Sequence, residues 1–147
     1  MKIVTSLSRY LLGLLFTVMG LNGFLHFIPM APVPPLAGQF LGALVASHYM
    51  AVVFAFQIAG GLLLLATSYV PLALALLAPI VFNIDLFHAF MEPAGMPPAI
   101  LVSLLWLVVA YSVRPAFAGI WKSVPPAHAQ PQSANLPPRT GIAGLNA

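Results

Sequence analysis

Residues 71–92 read PLALALLAPIVFNIDLFHAFME, and two features of this stretch decide how the rest of the chain folds. Residues 71–82 carry no polar side chain, yet the second half holds Asp85 and Glu92, the only acidic side chains in the protein. A helix needs roughly 20 predominantly apolar residues to cross the hydrocarbon core of a bilayer. The stretch therefore reads as a membrane-crossing helix over about 71–91, with its carboxylates gathered toward one end.

Composition extends that reading to the whole chain. Of 147 residues, 61% are hydrophobic and only 5% are charged, and the mean hydropathy is +1.03. Soluble domains carry about a quarter charged residues, so too few polar side chains are present to cover a water-facing surface. Three further apolar segments, near 8–28, 48–67 and 98–118, have the length of a span. The expected architecture is an all-α integral membrane four-helix bundle over residues 1–121. The first segment follows Lys2 and Arg9 as a signal peptide would. Its apolar run is longer than a signal core and no A-x-A site follows, so it reads as a retained helix.

Prolines punctuate the rest. Pro29 and the MAPVPP run after it end the first helix, and residues 35–46 (PLAGQFLGALVA) form a short interfacial helix or a re-entrant piece. Ser47 is the expected N-cap of the second span, TSYVP (67–71) a tight turn, and Pro71 a first-turn residue of the third helix. Arg114-Pro115 marks the end of the fourth span, with AFAGIWK continuing along the membrane surface. Residues 122–147 are rich in Pro, Ala and Gln without periodicity, and are expected to be a disordered cytoplasmic tail; His128 within it receives no role.

Charge supplies orientation. Lys2 and Arg9 precede the first span and Arg114, Lys122 and Arg139 follow the last, while the loops at 29–47 and 92–97 contain no base. The positive-inside rule then puts both termini in the cytoplasm. Tyr69, Tyr111 and Trp121 fall at the inner interface and Tyr49 at the outer. The bases are scattered along the chain, which argues against a nucleic-acid partner or a polybasic lipid-binding segment. Cysteine is absent, which excludes thiol–disulfide exchange, Cys-ligated zinc, iron–sulfur clusters and covalent haem attachment.

This topology gathers His26, His48, His88, Asp85 and Glu92 in the outer half of the bundle. Asn22 and His26 are spaced i, i+4 and share a face of the first helix; Asp85, His88 and Glu92 at i, i+3, i+7 form a stripe, with Asn83 on a different face. An ionised Asp at the membrane centre costs about 2.5–3.5 kcal/mol, and His88, one turn away, is the expected partner of Asp85. Several readings of the cluster stay open. It can be a structural polar knot between helices, or a small-molecule pocket, with a quinone head group as the leading ligand and Asn22, His26, Asn83, Asp85 and His88 as its residues. His26, Asp85 and His88 also have the composition of a two-histidine, one-carboxylate iron site, and His26 with His88 that of a bis-histidine haem. His48 reads as a wetted helix-start histidine, Gln57 as an amide bonding across helices, Gly13, Gly20, Gly60 and Gly61 as packing contacts, and Trp106 as bulk. GLNGFLHFIP (20–29) and FNIDLFHAFMEP (82–93) echo each other, each placing Asn four or five residues before His and ending in proline.

The stretch GLNGFLHFIPMAPVPPLAGQFLGAL (20–44), followed by SHYM and by the N-x-x-x-x-H of Asn83 and His88, resembles the DoxX-like family of small bacterial membrane proteins over about residues 1–121. The resemblance implies a four-helix bundle in a bacterial cytoplasmic (inner) membrane. The family takes its name from a subunit of a thiosulfate:quinone oxidoreductase, and some relatives associate with other electron-transfer proteins. The family's polar positions carry over to Asn22, His26, Asn83 and His88; Asp85 departs from the pattern. The expected function is an accessory membrane subunit of a quinone-linked or other electron-transfer complex, in contact with lipid and with other subunits or further copies of itself. The alternative is a structural or scaffold subunit with no site of its own.

Overall fold

The computed structural model describes residues 2–29 and 31–121, and among them no strand occurs. The Pro-rich segment expected to be a disordered tail lies outside the described residues. The helices are α1 (Lys2–Leu25), α2 (Pro35–Ala46), α3 (Tyr49–Leu65), α4 (Val70–Phe90), α5 (Met96–Ser112) and a single turn, α6 (Arg114–Phe117). Short 3₁₀ turns follow α4 at Pro93–Gly95 and α6 at Ala118–Trp121. Three helical stretches are long and apolar enough to cross a membrane: α1, α4, and α5 with the turn before it. The fourth expected span differs in form, because α2 and α3 meet at 86° and qualify only as a bent pair. At 17 residues, α3 alone measures about 25 Å, short of the roughly 30 Å hydrocarbon core.

The corner between α2 and α3 corrects the expectation for Ser47. His48, in left-handed backbone at φ 61°, precedes the first turn of α3 and makes no side-chain cap. Ser47 instead closes α2, with its hydroxyl donating to the Leu44 carbonyl at 3.1 Å. A sharp reversal needs a positive-φ residue, whereas a Ser N-cap requires extended backbone; the corner takes the former. The turn before α4 is built the same way, with Thr67 at φ 60° and Tyr69 at φ 52° and Pro71 in the first turn as expected. Likewise α5 stops at Ser112 rather than near 118. Pro115 has no N–H to donate to the Tyr111 carbonyl, so the α5 ladder cannot run through it, and the chain breaks at Val113, at φ −108°, before α6 begins.

Packing places α1 against α3 and α5, and α4 against α3 and α5. Neighbours in this ring run antiparallel. Gly13 lies beside Gly61 and Leu64, while Gly20 lies beside Phe54 and Gln57. The buried core draws on Leu12, Phe16, Leu64, Leu74, Leu77 and Val109. Most large side chains outside it are exposed, among them Leu14, Phe56, Leu62, Leu72, Phe82 and Leu104. Between apolar helices in lipid there is no hydrophobic gain, so close packing and hydrogen bonds hold the helices together. Inside α4, Pro79 deprives the Ala75 carbonyl of its usual donor without ending the helix. The Trp106 indole N–H of α5 donates to the adjacent Leu74 carbonyl at 3.2 Å. That bond ties α5 to α4 one residue before the carbonyl that Pro79 leaves without its helix donor.

Candidate functional site

The residues expected to form one outer cluster divide among three places. At the exit of α1, Asn22 is 7% exposed. Its side-chain oxygen accepts the Ile28 N–H at 2.6 Å and its amide nitrogen donates to the Ile28 carbonyl at 3.3 Å. His26 sits in left-handed backbone at φ 52°, and its N–H donates to the Asn22 carbonyl at 2.8 Å. That is the 5→1 bond of an αL helix terminus, a position usually taken by glycine. His26 therefore no longer follows the frame of α1, and the shared face expected for Asn22 and His26 does not form: Asn22 is buried while His26 is exposed.

At the exit of α4, His88 turns to Glu92. Its Nδ1 lies 2.8 Å from Glu92 Oε2 and 3.0 Å from the Glu92 carbonyl. Both partners are oxygens, so Nδ1 donates. The same Oε2 accepts the Gly95 N–H at 2.9 Å, capping the 3₁₀ turn that leads into α5. A Cβ at Gly95 would run into the His88 ring and the Glu92 carboxylate, so this closed knot requires glycine. Phe40 of α2 lies against Phe87 beside it, ring centres 6.1 Å apart.

The third place is the seam between α4 and α5. His88 is not the partner of Asp85, contrary to expectation. The Ser103 hydroxyl of α5 donates to Asp85 Oδ2 at 2.6 Å, while Oδ1 is buried with no hydrogen-bond partner. A buried polar atom left unpaired costs about 1–3 kcal/mol. Asp85 lines a cleft of about 300 Å³ together with Ala78, Val81, Phe82, Ser103 and Trp106. The terminal torsion of Asp is broad, so a small rotation turns Oδ1 toward a ligand in that cleft. A carboxyl group held by one oxygen and open at the other can bond a hydroxyl, or hand a proton to a carbonyl oxygen.

Asn83 is exposed, away from these groups. Among the described residues no three His, Cys, Asp or Glu side chains come together to hold a metal ion, so the trio His26, Asp85 and His88 is not assembled. Gln57, expected to bond across helices, is 8% exposed with its Oε1 unpaired. Sequence reasoning passed over Ser103 and read Trp106 as bulk, yet one signal was available for Ser103. In antiparallel helices joined by a short loop, residues equally distant from the loop centre face each other, and Asp85 and Ser103 flank Ala94 symmetrically.

No protein-family model matches the chain, and neither does any curated protein or solved structure.

Proposed function

We propose that this chain is an accessory subunit of a bacterial cytoplasmic membrane, of the DoxX-like kind, which offers a lipid-soluble molecule a head-group site in the Asp85 cleft. A quinone is the ligand whose chemistry fits best. In this reading α1, the bent α2–α3 pair, α4 and α5 make the four crossings of a helix bundle with both termini cytoplasmic, and a partner subunit of an electron-transfer complex supplies the redox centre. Quinone reduction takes up protons together with electrons, and a carboxyl group beside a lipid-facing cleft supplies a proton at the ring oxygen. The observation that carries the reading is the buried, unpartnered Oδ1 of Asp85 on the wall of an apolar cleft. Of the residues first grouped as ligand-binding, Asp85 takes the central role; Asn22, His26 and His88 act as helix-end residues, and Asn83 has no contact that supports a part in it.

The test is quinone binding to the purified protein in lipid nanodiscs. Asp85→Leu is expected to weaken binding about tenfold or more, the effect of losing a hydrogen bond worth about 1.5–3 kcal/mol, and His26→Ala to leave it within about twofold. Equal binding by wild type and Asp85→Leu rejects the site. The second reading, a structural or scaffold subunit, is favoured by the Ser103–Asp85 bond, which ties α4 to α5 with no ligand. In that case Asp85→Leu lowers thermal stability and the wild type binds no quinone.

A further inference from the structure

The bases that are scattered in the sequence are not all scattered in the fold. The start of α1 and the end of α5 meet around a cleft of about 1150 Å³, and Lys2 and Arg114 both line it. Ser6 adds a hydroxyl, while the Ser112 hydroxyl is turned to the Val109 carbonyl at 2.6 Å, and Leu107 and Val108 form part of an apolar wall below. Both apolar residues are exposed, Leu107 at 56%. Arg114 is held in place over the Tyr111 ring, 4.2 Å from its centre. Arg9, seven residues beyond Lys2 and so on the same stripe of α1, has its Nε buried without a partner.

Among the described residues no carboxylate lines this cleft. Asp85 and Glu92, the only acidic side chains of the chain, are absent from the lining and are engaged by Ser103 and His88. Two cations and the Ser6 hydroxyl above an apolar wall, at the end of a helix pair in a membrane, match the two halves of one molecule: an anionic head group and its acyl chains. Basic pockets between helices on the cytoplasmic side bind anionic head groups in this way.

We propose that the cleft between the start of α1 and the end of α5 is a binding site for an anionic phospholipid, its phosphate held by Lys2 and Arg114 and its chains lying along Leu107 and Val108. Leu107 also borders the Asp85 cleft, but Lys2, Arg114 and Val108 do not, so the head-group site needs no quinone role.

The experiment is native mass spectrometry of the full-length chain released from nanodiscs of equal phosphatidylglycerol and phosphatidylcholine. The variants are Lys2→Gln/Arg114→Gln and, as a charge-matched control, Lys122→Gln/Arg139→Gln. The wild type and the control are expected to retain one phosphatidylglycerol in preference to phosphatidylcholine. The Lys2/Arg114 variant is expected to lose that preference by about twenty-fivefold, roughly fivefold for each base near an anionic lipid, with its melting temperature unchanged. Equal retention of the two lipids by the wild type overturns the proposal. So does an equal loss in both variants, which marks a general charge effect, or an unchanged preference in the Lys2/Arg114 variant, as when residues 122–147 fill the cleft. Displacement of the bound lipid by millimolar inorganic phosphate also overturns it in favour of a free-phosphate site.

Discussion

The seam between α1 and α3 and the seam between α4 and α5 hold antiparallel helices together by opposite means. The first is closed by glycine. Gly13, Gly20 and Gly61 are buried there, and a Cβ built on Gly61 would come within 2.7 Å of the Thr17 nitrogen and 2.8 Å of the Gly13 carbonyl. Backbone meets backbone there, and nothing can enter. The second seam is held by two long-range polar bonds, Ser103 to Asp85 and Trp106 to Leu74, and it leaves a cleft of about 300 Å³. Small residues bring helices close in lipid, whereas polar side chains can join them at a greater distance. The lesson is that a polar group in the tight seam, such as Thr17 bonded to its own helix at Gly13, serves packing. A polar group in the open seam has room for something else.

The largest expected effect lies on the closed seam. Gly61→Ala must push α1 from α3 and should lower stability in detergent by about 3 kcal/mol, at the upper end of overpacking effects, as measured by thermal unfolding. A change under about 0.5 kcal/mol would show that this seam yields, and the contrast with the other would fail. Next comes Gly95→Ala, where the new methyl displaces the His88 ring from Glu92. About 2 kcal/mol should be lost, and Gly95→Ser should fare no better. Ser103→Ala on the open seam should be milder, about 0.6–1.7 kcal/mol, the range measured for hydrogen bonds between membrane helices. A loss as large as that of Gly61→Ala would mean that the polar seam is as unforgiving as the glycine one.

The smallest effect has the opposite sign. His26 holds left-handed backbone, which costs an L-residue roughly 1–2 kcal/mol per position relative to right-handed helix. His26→Gly should therefore raise stability by up to about 1 kcal/mol, and a calorimetric melt checks it. A destabilised His26→Gly would show that the imidazole makes a contact beyond its backbone role.

Much of the helical layout was legible because hydropathy and proline act locally. Residues 35–46 form a helix with those bounds, and Pro71 opens α4, as chain-local rules require. The failures occurred where a local rule met a corner or a distant partner. Ser47 is a favourable N-cap residue, but the 86° bend demanded a left-handed residue and His48 supplied it. His26 fits the i+4 position of a helix that has already ended. The echo between GLNGFLHFIP and FNIDLFHAFMEP is one of spelling: in α1 the histidine terminates the helix, while α4 runs on through His88 to Phe90. The partner of Asp85 sits 18 residues away on another helix, beyond the reach of periodicity.

The central claim, that the open seam is where a small lipid-soluble molecule binds, is tested most directly by photolabelling. A photoreactive benzoquinone analogue is illuminated with the protein in nanodiscs and the adducts are mapped by peptide mass spectrometry. The account predicts adducts on Phe82 and Trp106, suppressed by excess unlabelled quinone and reduced in Asp85→Leu. Labelling spread evenly over lipid-facing residues, or concentrated near His26 and insensitive to competition, would contradict it.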